Sequence, residues 1–298
     1  MTRHLLSIGE LTEPDIGELF ELADRLREST PHAPLLRGRT FLLFFPESSL
    51  RTRLTFERGI RELGGECVLF PPETLDKSED LRDVAGYAAN WAHGLIVRHR
   101  DYARLRQLAS RSPLPVVNAM TSRNHPCEIL ADLYALRLRR PDFRELTYTY
   151  VGPMNNIGRS WAEAAEVLRL DFRHVCAPGY GLISEPADSG PGVGSAASSR
   201  HYTFCTELES ALPHTDIVLT DSLPGELKTT EYMDKYRITP EVMRIAKPGA
   251  LLNPCPPFYR GEEVSAEVID SDYFVGYDFK EQLLTVQQAI VLLSQRGY

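Results

Sequence analysis

The chain reads FFPESSLRTRLTFE at residues 44–57, and this segment decides the fold of the first half. The apolar run at residues 40–45 predicts a buried strand, which Pro46 ends. The serines at 48–49 occupy positions where a helix N-cap is expected, and a helical pattern follows them. The segment therefore predicts a strand that leads into a helix through a short polar turn.

Such a turn predicts an anion site. Backbone N–H groups at the start of a helix lie at the positive end of the helix dipole, where phosphates bind readily. Arg51 and Arg53 add fixed positive charge, and we expect at least one of these arginines to point at the anion. Glu57 is an acidic residue suited to the first turns of the helix. The alternative interpretation is a surface helix that happens to begin with arginines.

The composition limits the class of protein. The 298 residues, 43% of them apolar, suffice for two domains of ordinary size. No apolar run is long enough to span a bilayer, and residues 1–7 lack the features of a signal peptide. The five cysteines contain no Cys-x-x-Cys pair, so we expect neither a disulfide framework nor a zinc site, and we expect a reducing cytoplasm.

The net charge of −8 argues against nucleic-acid binding, and an anionic substrate would need a local island of positive charge. The candidates for that island are Arg51, Arg53, Lys77, Arg98, His99, Arg100 and His125.

Strand and helix signals alternate along the chain, which predicts α/β architecture with parallel sheets. After a helix at 12–30, the first half predicts strands at 40–45, 66–70, 94–97 and 115–118 and helices at 52–63, 79–91, 101–111 and 126–139. The second half predicts strands at 147–151, 172–176, 216–220 and 249–253 and helices at 158–168, 206–211 and 282–293. Pro141 places the domain junction near 140–146, and the Gly/Ser/Pro-rich stretch 186–200 predicts a mobile loop.

Six blocks of sequence resemble, in order, motifs of the aspartate/ornithine carbamoyltransferases. The residues Ser49-Leu50-Arg51-Thr52-Arg53 are similar to the phosphate loop Ser-x-Arg-Thr-Arg of that family. The others are 77–83, which resembles its swinging loop, Arg98-His99, the block HPCEILAD at 125–132, the segment 152–160, and Cys255-Pro256-Pro257 with 260–264. The last two resemble acceptor-side motifs of the ornithine branch.

The resemblance implies two doubly wound parallel-sheet domains linked by helices, with the active site in the cleft between them. It implies a carbamoyl-phosphate-binding domain at 1–142, on which a C-terminal helix at 280–298 packs, and an acceptor-binding domain at 143–279. It also implies small-molecule substrates and a homotrimer with shared active sites. We expect no membrane or nucleic-acid partner, no cofactor and no metal.

In this family an amine attacks the carbonyl of carbamoyl phosphate, a reaction that depends on positioning and electrostatic stabilisation. The implied donor-binding residues are Ser49, Leu50, Arg51, Thr52, Lys77, Arg98, His125 and Glu128. Arg98 would bridge phosphate and carbonyl oxygens, while His125 and Thr52 would donate to the developing oxyanion. Together with Cys255 these are the implied catalytic residues. His125 has a structural alternative, as a cap at a helix start.

Glu128 departs from the family, which has a glutamine that accepts a hydrogen bond from the donor's NH₂. Beside a phosphate dianion a carboxylate adds repulsion, so Glu128 is protonated, paired with a cation such as Lys77, or matched to an altered donor. In the aspartate branch of the family a lysine at the equivalent place reaches a neighbouring subunit's site, which implies the same role for Lys77. A solvated loop lysine is the alternative.

The implied acceptor-binding residues are Asn156, Arg159, Asp221, Cys255 and Pro256. Asn156 and Asp221 favour the ornithine branch, whereas Arg159 falls where the aspartate branch binds its substrate's carboxylate. The family's Ser-Met-Gly and a histidine before Cys255 are missing, and Leu283 replaces an arginine. We therefore expect carbamoyl transfer to an amino acid, with an ornithine-like acceptor favoured over aspartate.

Two other classes compete with a carbamoyltransferase. Residues 247–253 resemble a strand entry of nicotinamide-dependent hydroxyacid dehydrogenases, but the turn at 152–158 lacks Gly-x-Gly-x-x-Gly. The departures at 128, 253–254 and 283 leave open a non-catalytic or altered-donor relative that keeps only the fold.

Overall fold

The computed structural model describes residues 4–29, 33–182 and 200–295. The chain divides into unit 1, Met1–Arg139 with Lys280–Tyr298, and unit 2, Arg140–Phe279. Within the described stretches, no helix combines the length and the apolar character needed to cross a bilayer. Apart from Arg200, the loop predicted at 186–200 lies outside the described residues.

The described elements alternate as the sequence predicts. The strands are β1 (Thr40–Phe44), β2 (Glu66–Phe70), β3 (Gly94–Arg98), β4 (Val116–Met120), β5 (Thr147–Val151), β6 (Asp171–Val175), β7 (Tyr202–Cys205), β8 (Ile217–Thr220) and β9 (Leu251–Pro254). The α-helices are α1 (Glu13–Glu28), α2 (Arg51–Glu62), α3 (Leu81–Ala88), α4 (Tyr102–Arg111), α5 (Pro126–Arg139), α6 (Asn156–Leu168), α7 (Leu208–Ala211), α8 (Thr230–Tyr236), α9 (Pro240–Met243), α10 (Ala266–Ile269) and α11 (Gln282–Ser294).

Unit 1 is built on a parallel sheet with the strand order β2-β1-β3-β4. The chain passes from β1 to β2 on one side and then returns to place β3 on the other side of β1. The gap between the carboxyl ends of β1 and β3 is therefore the switch point of a doubly wound sheet, where ligands bind. The residues 94–97 of β3 are buried throughout, as expected of a strand covered on both faces.

The helices of unit 1 begin and pack for local reasons. Thr12 forms a capping box with Asp15, which fixes the start of α1. The returning helix α11 packs on α1, α2 and α5. Gly59 on α2 permits the close approach of α11, because a Cβ atom there would lie 2.9 Å from Cγ of Gln288.

Unit 2 repeats the architecture with the parallel order β7-β6-β5-β8-β9. Its switch point lies between β5 and β8, and β5 is buried along its whole length. Gly158 lets α6 pack on this strand, since a Cβ atom there would lie 2.7 Å from Cε1 of Tyr150. The prediction of two doubly wound parallel-sheet α/β domains is confirmed.

Several predicted elements need correction. The helix predicted at 79–91 is α3, which begins at Leu81 because the Asp80 side chain caps it by accepting from the Arg82 N–H. The helix predicted at 206–211 is the single turn α7, since Glu207 is extended and Pro213 lies in a following 3-10 turn. The sequence patterns missed β7, α8, α9 and α10.

Candidate active site

The phosphate-loop residues lie at the switch point of unit 1. The N-cap of α2 is Leu50, and no side chain caps the helix, so the prediction of a serine cap is wrong. Ser49 is buried, and its Oγ accepts a hydrogen bond from Nη1 of Arg98 at 3.2 Å. This bond joins the loop after β1 to the end of β3. The uncapped start of α2 offers backbone N–H groups to an anion.

The two arginines of the loop have different surroundings. Nε of Arg53 donates to Oε1 of Glu57 at 2.7 Å, along the surface of α2. Arg51 is exposed and forms no ion pair with any described residue, and its positive charge acts on Glu128. Of the two loop arginines, Arg51 is therefore the one whose charge is not paired along the helix. Thr52 is buried in the first turn of the same helix.

His125 lies immediately before α5 and is 6% exposed. Burial lowers the pKa of His125 to about 4; the Glu128 charge opposes this shift, whereas Arg98 and Lys280 reinforce it. The imidazole is therefore neutral at pH 7. A neutral imidazole carries one N–H, so it can donate one hydrogen bond to an oxygen that gains negative charge.

Glu128 is a buried carboxylate paired with a lysine from the other end of the chain. Nζ of Lys280 lies 2.7 Å from Oε1 of Glu128 and 2.6 Å from Oδ1 of Asp132. Burial opposes ionisation of Glu128, but the charge and the hydrogen bond of Lys280, together with the charge of Arg51, outweigh it and lower its pKa. Of the three explanations for Glu128, pairing with a cation is right, but the partner is Lys280 and not Lys77.

Lys77 follows a 3-10 helix, Pro72–Asp76, in the loop after β2. The Arg104 guanidinium holds this loop by donating to the carbonyl oxygens of Leu75 and Lys77. His99 secures it further, with Nε2 2.9 Å from Oδ1 of Asp76. Since Nδ1 of His99 accepts from the Asp101 N–H, Nε2 carries the proton that is donated to Asp76. The Lys77 side chain is exposed.

A cavity of about 410 Å³ opens at the carboxyl edge of the unit 1 sheet. It is lined from the ends of all four strands, by residues such as Pro46, Pro72, Arg98, Arg100 and Thr121. Arg98 thus lies both in the wall of this cavity and against the phosphate loop.

The switch point of unit 2 is organised by Asn155, which the sequence interpretation did not single out. Its Oδ1 accepts from the N–H groups of Ile157 and Gly158, and so caps α6. Its Nδ2 donates to Oδ2 of Asp221 at 2.7 Å, which links the loop after β5 to the residue after β8. The preference for asparagine at N-caps is the signal that could have identified it.

The predicted acceptor residues share the carboxyl edge of the unit 2 sheet. Asn156 and Arg159 lie in the first turn of α6, and Asp221 follows β8. Cys255 follows β9, is buried, and donates its N–H to the carbonyl of Thr220 at 2.8 Å; Pro256 comes next. The pKa of the Tyr150 hydroxyl is raised well above its usual range by burial and then by Asp221 and Cys255, so both lie near this hydroxyl.

The departures from the family are apolar or buried. Leu283, at the position of an expected arginine, is 3% exposed, and it lies on α11 in unit 1. Asn253, next to the position of the missing histidine, is buried in β9.

These features define a two-domain α/β protein with a polar site at the switch point of each domain. The model "Aspartate/ornithine carbamoyltransferase, carbamoyl-P binding domain" matches residues 3–138. The model "Aspartate/ornithine carbamoyltransferase, Asp/Orn binding domain" matches residues 144–294. The chain belongs to the aspartate/ornithine carbamoyltransferase family.

Relatives named ornithine carbamoyltransferase match almost the full length. The protein of Azoarcus sp. (strain BH72) is 32% identical over 97% of this chain and 94% of its own. The protein of Geobacter metallireducens is 31% identical over 98% of both chains. The crystal structure of ornithine carbamoyltransferase from Burkholderia thailandensis E264 has a TM-score of 0.88 at 30% identity and covers 99% of each chain.

Proposed function

We propose that this protein transfers the carbamoyl group of carbamoyl phosphate to the amine of an amino acid, with an ornithine-like acceptor. The observation that carries the proposal is the Arg98–Ser49 bond at the switch point of unit 1. It places a guanidinium beside the uncapped start of α2. A phosphate bound there would meet backbone N–H groups and fixed positive charge together.

The donor residues take the following roles. Arg51 and the backbone N–H groups at 49–53, including that of Leu50, hold the phosphate, with Ser49 and Thr52 as further donors. Arg98 contacts both phosphate and carbonyl oxygens. His125 and Thr52 donate to the carbonyl oxygen, which gains negative charge when the amine attacks. The C–O bond to phosphate then breaks, phosphate leaves with the electron pair, and it takes up the proton that the amine nitrogen loses.

The acceptor residues in unit 2 bind a zwitterionic amino acid. Asn156 or Arg159 binds its carboxylate, while Asp221, held by Asn155, attracts an amino group. Cys255 and Pro256 complete the wall beside Tyr150. The relatives named ornithine carbamoyltransferase support a diamino acid. Arg159 favours a dicarboxylate, so aspartate is the second candidate acceptor.

We expect phosphate to be released from carbamoyl phosphate in the presence of an amine of the right class. The test compares ornithine, lysine, diaminopropionate, putrescine and aspartate at equal concentration. Activity with a diamino acid supports the proposal. If aspartate alone is carbamoylated, the assignment of Asp221 is wrong, and if putrescine is preferred, Asn156 and Arg159 bind no carboxylate. No release with any amine would favour a non-catalytic or altered-donor relative.

The proposal includes a homotrimer with shared active sites. Leu50 and Leu54 on α2 are 71% and 58% exposed, and Val68 and Phe70 on the neighbouring edge strand β2 are 43% and 37% exposed. Exposed apolar side chains grouped in this way mark protein–protein contact surfaces. The loop with Lys77 directly follows β2, so a second copy seated on these residues would lie close to Lys77.

We expect activity to return when inactive Lys77→Ala chains exchange subunits with inactive Arg51→Ala chains. A site that takes Arg51 from one chain and Lys77 from its neighbour is intact in some mixed trimers. Random exchange at equal amounts gives an intact pair in roughly a quarter of the sites. Turnover after dilution from mild denaturant measures this recovery. If mass spectrometry shows mixed trimers and no activity returns, Lys77 does not complete a neighbour's site.

A cytoplasmic location completes the proposal. The five cysteines, all within the described residues, form no disulfide. Thiols of this kind persist where the surroundings are reducing.

A further inference from the structure

Two carboxylates on one face of α5 share a single lysine. Glu128 and Asp132 lie one helical turn apart, and their side chains are 7% and 3% exposed. Nζ of Lys280 lies within 2.7 Å of Glu128 and 2.6 Å of Asp132. Lys280 comes just before α11, so 152 residues separate the members of the first pair.

We propose that Lys280 is a positioning residue of the donor site, which holds the Glu128 carboxylate in place as the hydrogen-bond acceptor for the NH₂ of carbamoyl phosphate. The inference rests on the proposed function. Lys280 bonds Oε1 of Glu128, and no described residue bonds Oε2. That second oxygen can accept from a ligand N–H while the lysine restrains the side chain.

The charges around Glu128 explain why a lysine is needed. Arg51 acts on it from α2, His125 from the residue before α5, and Lys280 from the segment before α11. Asp132 lies one turn further along α5 and shares Lys280. With His125 neutral, removal of Lys280 would leave two buried carboxylates near the site of a phosphate dianion. A buried charge that loses its partner is strongly unfavourable, and here the repulsion would act on the donor.

The lowered pKa of Glu128 defines its role further. The lowered pKa keeps the carboxyl group ionised, so it has no proton to donate and offers only acceptor oxygens. Glu128 therefore serves as a fixed hydrogen-bond acceptor and not as a general acid. Lys280 acts on the reaction only through it.

The test measures carbamoyl phosphate binding and KM for Lys280→Met, Lys280→Arg and Glu128→Gln/Lys280→Met. We expect Lys280→Met to raise KM for carbamoyl phosphate about tenfold or more at pH 8, because one partner of a buried ion pair is lost. Lys280→Arg keeps the cation and should stay near wild type. The double variant replaces the Glu128 carboxylate by an amide acceptor and leaves only Asp132, one helical turn further along α5, so it should recover much of the loss.

The pH dependence separates positioning from a structural role. Without Lys280, burial should raise the pKa of Glu128, so its charge is lost as the pH falls. The KM of Lys280→Met should then approach that of the double variant between pH 8 and pH 6. The matched control is Lys247→Met, which removes a lysine bound at 2.7 Å to Asp216 in unit 2 and should leave KM for carbamoyl phosphate unchanged.

The proposal is overturned if Lys280→Met binds carbamoyl phosphate normally, or if the double variant is as impaired as the single one. Should Lys280→Met fail to fold, Lys280→Arg and the double variant decide the question through the same KM values. Calorimetric titration with carbamoyl phosphate needs no turnover. If the wild-type protein binds carbamoyl phosphate but transfers its carbamoyl group to no amine, the proposed function is contradicted. The calorimetric comparison of the variants would still decide the role of Lys280.

Discussion

The Arg51→Ala variant is expected to lose about 100-fold or more in kcat/KM, or about 3 kcal/mol of transition-state stabilisation. Arg51 occupies the first turn of α2, whose N-terminus has no side-chain cap. Because no described residue forms an ion pair with it, its charge is available to the phosphate. Phosphate release from carbamoyl phosphate under steady-state conditions measures the effect.

Two further arginines of this helix are already paired, and the one outside the phosphate loop, Arg58, serves as the control. Arg53 bonds Glu57 and Arg58 bonds Glu62, each at 2.7 Å, so both charges are satisfied along the helix surface. Arg58→Ala should leave kcat/KM close to wild type, and thermal unfolding should be similar for both variants. Unchanged kinetics in Arg51→Ala would show that the phosphate binds elsewhere.

Local sequence patterns were sufficient for most of the fold. Each strand of unit 1 is a short apolar run bounded by turn residues, and each helix after it has an apolar face, so the alternation was visible. β7 was missed because four residues, YTFC, are too few to show a period and follow a Gly/Ser-rich stretch. The short helices α8 to α10 were missed for the same reason, since each contributes only one or two turns.

The site residues were predictable in position but not in their bonds. A motif shows that Ser49, Arg98 and His125 are present, and the parallel sheet brings strand ends to one edge. The bonds that orient them join residues far apart in sequence, such as Asn155 with Asp221, 66 residues away. No short window of sequence contains both partners. The sequence therefore suggests Lys77 as the cation beside Glu128, whereas the structure has Lys280 there.

The same limit explains why the sequence predicts the acceptor less sharply than the donor. In unit 1 a helix N-terminus and a guanidinium both attract negative charge, so these groups alone predict a bound anion. In unit 2 the residues that the family would use to distinguish one amino acid from another are partly replaced, by Leu223-Pro224-Gly225-Glu226 among others. The Asn155 side chain holds the Asp221 carboxylate in place, but a carboxylate attracts any amine.

Replacement of His125 by alanine is expected to lower kcat by about 100-fold to 1000-fold, the scale for loss of one preorganised donor to a developing oxyanion. His125 is almost fully buried, and its pKa of about 4 keeps the ring neutral at working pH. The neutral ring donates through one N–H, and it gains a second N–H only when the pH falls through about 4. Activity should therefore show no step near pH 6.5 from this residue.

The pH profile of kcat distinguishes this role from that of an ordinary histidine. His214 is exposed, and His214→Ala should leave both kcat and its profile unchanged. A wild-type profile with a step near pH 6.5 that His125→Ala abolishes would mean that the imidazole is charged during turnover. Such a result would contradict the assignment, because burial beside Arg98 and Lys280 disfavours a third positive charge at this position. A flat profile together with the loss in kcat is what a buried, neutral donor requires.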